Sequence, residues 1–194
     1  YQSKKYEDAY PNWISLMDNC PTLSINIYKL GDKMVQSMFK KAADKTETTG
    51  LIKRIYNQRL ANFPSKDPAK VHSDYATFLV KNKLATDDEV FKILELAYSI
   101  DPTRMGVKNI YRYFQGITDV NKDTNPQKVF DTYDDVLESV GEKLNDYAKK
   151  LRDLNAKVEA GQALDKRQKQ NLRAYTINSK ALGQVESGLD NIII

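Results

Sequence analysis

One cysteine, one histidine, eight glycines and six prolines in 194 residues exclude several kinds of protein. A lone thiol, Cys20, rules out an intramolecular disulfide and any cysteine-cluster metal site. Sparse glycine and proline, with no alternating apolar–polar runs, argue against a long all-β chain. No apolar run approaches the ~20 residues needed to span a bilayer. A dominant charge is missing as well: 30 Lys and Arg stand against 26 Asp and Glu, a net charge of +4 with both signs mixed. Such a balance does not argue for a nucleic-acid-binding surface, which needs a concentrated basic stripe. Glycine-rich phosphate loops, GxSxG and HExxH are all absent from the sequence.

What the sequence does contain is helical periodicity. In residues 6–34, Ala9, Trp13 and Leu16 recur at steps of three and four and predict one helix stripe. Pro21, which lacks the amide donor, marks the end of that helix. Ile27, Leu30, Gly31 and Met34 then form a second face, and the small Ala9 and Gly31 allow close helix approach. The unit reads as an antiparallel helical hairpin.

The same organisation continues along the chain. Residues 24–43 form one helix, 42–50 a Thr-rich loop or frayed start, and 51–63 the next helix, with Ile52, Tyr56 and Leu60. After a Pro-containing link at 65–69, residues 71–84 carry Tyr75, Ala76, Phe78 and Leu79. Thr86 and Glu89 predict a capping box, with Asp87 and Asp88 suiting the helix dipole. Val90, Leu94 and Ala97 follow, and Ile100-Asp101-Pro102 ends that helix. Residues 105–117 form the next one. Asn125-Pro126 starts a long helix whose seam is Val136, Val140, Leu144, Tyr147, Leu151, Leu154 and Val158. Gly161 breaks it. Asp165 with Gln168 caps one last helix carrying Leu172, Tyr175, Leu182, Val185 and Leu189.

Candidates for chemistry are few. Cys20 and His72 are the one available nucleophile–base pair, read instead as a structural thiol and a solvated imidazole. Asp119-x-Asn121-x-Asp123-x-Asn125 is similar to the start of an EF-hand loop. It has Thr124 where the pattern needs Gly and Phe130 where it needs Glu, so capping is the expected role of the loop at 119–125. Asp87/Asp88 and Asp134/Asp135 read as dipole or surface carboxylates. The tyrosines read as core, with some available as peptide anchors. Lys149, Lys150, Arg152, Lys157, Lys166, Arg167, Lys169 and Arg173 line the outer face of the last hairpin. They suit a solvated face, an anionic lipid surface or an acidic protein. No catalytic, cofactor-binding or metal-binding residue is assigned.

Ala9-x-x-x-Trp13 with Pro21, and Ile27-x-x-Leu30-Gly31-x-x-Met34, resemble the tetratricopeptide (TPR) pattern, with Ile27 for Trp and Met34 for Tyr. The run from Leu96 to Pro102 resembles a repeat end. Helix-ending prolines at 21, 64 and 102 are spaced 43 and 38 residues apart, wider than the usual ~34. Tyr6-Glu-Asp-Ala9-Tyr10-x-x-Trp13, Asn19-Cys20-Pro21, Ile55-Tyr56-x-x-Arg59-Leu60 and Val129-Phe-Asp131-x-Tyr133-Asp134 further resemble TPR proteins of the Bacteroidetes cell envelope. The resemblance implies an all-α chain with TPR-like hairpins stacked as a short solenoid over residues 1–126. A long helical hairpin continuing the array would occupy 127–194. It further implies a non-enzymatic protein-interaction scaffold in an envelope complex, periplasmic or outer-membrane-associated, with protein partners, no nucleic acid and no cofactor. The alternative is a TPR-based solute- or glycan-binding protein of the SusD type. Starting at Tyr1 and ending on three isoleucines, the sequence reads as a segment of a longer exported chain.

Overall fold

The computed structural model describes residues 6–193; it is all-helical, and those residues contain no strand. The chain falls into two compact units, the first through Val71 and the second from His72. The step expected at 126/127 lies inside the second unit, at the start of a helix.

The first unit holds α1 (Tyr6–Asn19), α2 (Asn26–Lys41) and α3 (Thr46–Asn62), with α2 packed against both neighbours. Trp13 organises the first hairpin. Its indole Nε1 donates to the Ile27 carbonyl at 2.8 Å. The ring lies on Gly31, where a Cβ would come within 2.4 Å of that nitrogen. Gly31 therefore provides the close approach its small size predicted. The Tyr28 hydroxyl donates to the Pro21 carbonyl at 2.8 Å and accepts from Asn62 at 3.0 Å, tying the turn to the end of α3. Two details differ from expectation. Met17 is buried while Leu16 is 39% exposed, because the seam follows the four-residue step from Trp13. The Thr-rich stretch is helical from Thr46, since Asp44 accepts from both the amide and the hydroxyl of Thr46 and turns the chain into α3.

Helix α4 (Pro68–Asn82) crosses the division. The second unit continues with α5 (Asp87–Ile100), a 3-10 turn (Pro102–Arg104), α6 (Val107–Asn121), α7 (Pro126–Glu159), α8 (Lys166–Leu182) and α9 (Val185–Ile193). Helix α6 packs against α5, α7 and α9, and its Ile110, Tyr113, Phe114 and Ile117 fill the core. Glycine again seats aromatic rings. A Cβ on Gly116 would lie 2.2 Å from the Phe91 ring, and one on Gly188 would lie 2.4 Å from Tyr111. Asn109, 1% exposed, donates to the Ser73 carbonyl, the Ser73 hydroxyl and Thr77, and accepts from Arg112. Its polar atoms are thus satisfied inside the core, as burial requires.

The predicted caps are in place. Thr86 with Glu89 and Asp165 with Gln168 form capping boxes, and Asn125 caps α7 ahead of Pro126. Gly161 takes the left-handed φ of +74° that ends α7. The last helix is not single, however. It breaks at Gly183 and Gln184, and the chain turns so that α9 packs on α6 and α7. Leu182, Val185 and Leu189 keep helical spacing across the break, which is why periodicity alone runs straight through it.

Candidate functional site

The residues with catalytic potential are spent on structure. Cys20 is exposed in the turn after α1, in the first unit. His72 lies in α4, in the second unit, where burial pushes its imidazole pKa down from the ordinary 6.5. It is half-buried rather than solvated as the sequence suggested. Asp87 and Asp88 stand in the first turn of α5 beside the capping box. Asp134 and Asp135 are exposed on α7.

The loop with calcium-like spacing is likewise used locally. Asp119 and Asn121 belong to the last turn of α6. Asp119 accepts from Gln115 at 2.9 Å, and Asn121 donates to the Ile117 carbonyl at 2.8 Å. Asn125 is the cap of α7. Among the described residues no group of three or more His, Cys, Asp or Glu side chains is placed to hold a metal ion.

Every tyrosine from Tyr6 onward is buried or half-buried. Tyr98 and Tyr113 stack with ring centroids 4.1 Å apart, and Phe91 lies against Tyr113 at 6.1 Å. Burial, with Asp135 nearby, raises the Tyr98 hydroxyl to about 12. The Tyr113 hydroxyl rises too, first through burial and then through the adjacent Tyr98. Tyr133 is half-buried between helices, with its ring against Phe114 and its hydroxyl donating to Asp190 at 2.8 Å. These rings are packing elements. The large apolar side chains left outside are mostly aliphatic. Leu96 and Ile100, one turn apart on α5, are 52% and 48% exposed.

The distinctive surface is the far part of the α7–α8 hairpin. Cations on α7 are mixed with carboxylates: Lys150 pairs with Asp146 at 2.5 Å, and Asp153 and Glu159 lie nearby on the same helix. Helix α8 is different. It carries Lys166, Arg167, Lys169, Arg173 and Lys180 and no carboxylate. Five of the chain's 30 cations and none of its 26 carboxylates lie there, so the rest of the molecule is one unit negative. At 100° per residue, Lys166, Lys169, Arg173 and Lys180 fall within a sector of roughly 60° that extends about 21 Å along the axis. All four are exposed, and among the described residues none is paired with a carboxylate. Ile177, 56% exposed, lies in the same stripe.

This pattern works against the helix that carries it. Cations near a helix N-terminus oppose the dipole by about 0.3–1 kcal/mol each, and like charges three or four apart repel by about 0.2–0.5 kcal/mol. Lys166, Arg167 and Lys169 sit in the first turn, where α5 places three acids. The sequence reading pooled the cations of both helices and so missed the asymmetry. The signal available was the unbroken absence of Asp and Glu from 166 to 185.

Among the described residues no helix is long and apolar enough to cross a membrane. No family model, curated protein or solved structure matches the chain.

Proposed function

We propose that this chain is a non-enzymatic protein-interaction scaffold, built of TPR-like helical hairpins and serving a complex of the bacterial envelope. The observation that carries the reading is the paired exposure of Leu96 and Ile100 on one face of α5. Aliphatic side chains one helical turn apart make an anchor for another helix, and burying them would supply the apolar part of an interface. The commitment of the tyrosines to packing supports this reading over the solute-binding one, which relies on exposed aromatic platforms. The periplasmic or outer-membrane location rests on the sequence resemblance.

The test is recovery of partners from native envelope membranes with immobilised protein. The wild-type chain is expected to retain a reproducible partner that Leu96→Asp with Ile100→Asp loses. A monomeric wild-type protein that retains nothing overturns the proposal.

A further inference from the structure

The cations on α8 have no role in holding the fold. They oppose the helix dipole, repel one another at steps of three, four and seven, and face away from the seam formed by Leu172, Tyr175 and Leu182. A local pattern that opposes its own element marks a functional surface. We propose that the stripe Lys166–Lys169–Arg173–Lys180, with Ile177 within it, is a docking face for an acidic helical segment of a partner protein. This inference rests on the scaffold reading and adds a second contact surface to it.

Three features select that occupant. The stripe is about 21 Å long and one side chain wide, the dimensions of a single helix face. Its carboxylate-free surface ends with α8, because Asp165 precedes it, Glu186 follows it, and Asp146, Asp153 and Glu159 lie on the partner helix of the hairpin. A short acidic segment fits inside that limit. A duplex, with a phosphate charge every ~1.7 Å of axis, would run beyond it onto carboxylates. Membrane adsorption needs a broad apolar face beside the cations. The apolar side of α8 is instead turned to the protein, with Leu182 buried and Leu172 and Tyr175 half-buried. Ile177 alone remains, placed to meet one apolar side chain among the acids of a partner helix.

The experiment uses fluorescence anisotropy on the full chain. The probe is a labelled ~20-residue helical peptide with Glu at alternating steps of three and four, the spacing of one helix face. Phospholipid vesicles rich in anionic lipid and a DNA duplex are measured alongside. Replacing Lys166, Lys169, Arg173 and Lys180 by Gln is expected to weaken peptide binding by at least about tenfold, and added salt should reduce wild-type binding steeply. The control replaces Lys128, Lys149, Arg152 and Lys157 of α7 by Gln, an equal loss of charge, and should change affinity less than about twofold. The α8 variant should melt at or above the wild-type temperature, because repulsion has been removed.

Equal weakening by both variants overturns the proposal in favour of unspecific net charge. Tighter binding of vesicles or duplex than of the peptide overturns the choice of partner, and a lower melting temperature overturns the claim that the stripe opposes the helix. An α8 variant that binds the peptide as wild type does and keeps its native partners refutes this inference alone. The scaffold reading fails separately, if the wild-type chain recovers no partner.

Discussion

Helix α7 is one continuous rod in two environments. From Val129 to Lys143 it contributes Val129, Thr132, Val136, Val140 and Lys143 to the interior. Beyond Lys143 only Leu154 is buried, at 9% exposure, and Leu144, Tyr147 and Leu151 are half-covered by α8. Lys143 marks the change. Its ammonium is buried and donates to the Met105 carbonyl, which ends the 3-10 turn after α5. The proximal part is held by a core drawn from several helices. The distal part is held by one partner helix, a stacked Tyr147–Tyr175 pair at 5.4 Å and the Asp165–Gln168 capping box. Local stability follows the number of buried apolar contacts, so the two ends of one helix should open independently.

The largest expected effect breaks the proximal side. Phe114 is fully buried in the core cluster, and Phe114→Ala should cost about 3–5 kcal/mol. Leu151→Ala, on the half-covered distal seam, should cost less than about 1.5 kcal/mol, because little area is lost. Urea unfolding followed by circular dichroism measures both. Comparable losses would mean that the arm is as tightly packed as the core. Hydrogen exchange sharpens the contrast, since amides of α7 beyond Lys143 should exchange faster than those before it.

A second prediction concerns the glycine seats. Gly116→Ala places a methyl group into the Phe91 ring, which is itself held against Tyr113. Overpacking there should destabilise by about 1–3 kcal/mol, and Phe91→Leu in the same chain should recover part of the loss.

A smaller effect depends on pH. His72 is the one histidine in the chain, and burial lowers its pKa from 6.5. Below pH 6.5 the unfolded chain takes up a proton that the folded chain resists. The stability from the neutral ring is therefore present above 6.5 and is lost as pH falls through the lower folded value. Unfolding midpoints of the wild type should drop between pH 7 and 5, and His72→Gln should flatten that slope. The arm contains no histidine, so its exchange rates, corrected for intrinsic chemistry, should not follow the same slope.

The sequence conveyed local structure well and packing direction less well. Caps at Thr86, Asn125 and Asp165 and the break at Gly161 were readable because each depends on two or three neighbouring residues. The Trp13–Gly31 contact was readable because both residues keep helical spacing. The Gly116 and Gly188 seats were not, since their partners Phe91 and Tyr111 lie 25 and 77 residues away and no local rule connects them. Gly183 breaks the last helix although apolar spacing continues, because the direction of α9 is set by α6. The buried ammonium of Lys143 was hidden in an ordinary charged pattern. At the candidate surface, the cations were readable but their confinement to one helix was lost when both helices were read as one face.

The smallest effect has the opposite sign to the glycine seats. Gly141 lies in α7 between Val140 and Lys143, and a Cβ built there meets nothing within 4 Å. Glycine inside a helix forfeits backbone entropy without providing a ring seat, so Gly141→Ala should stabilise by about 0.5–1 kcal/mol. The residue adjoins the change of environment at Lys143. Proximal amides are already held by the core and open chiefly with the whole unit, whereas distal amides open through local fraying that starts from this point. The gain should therefore appear as slower exchange mainly beyond Lys143, together with a modest rise in the urea midpoint. A uniform gain along α7 would mean that the rod opens as one piece. A loss of stability would mean that a neighbouring side chain occupies the space beside Gly141.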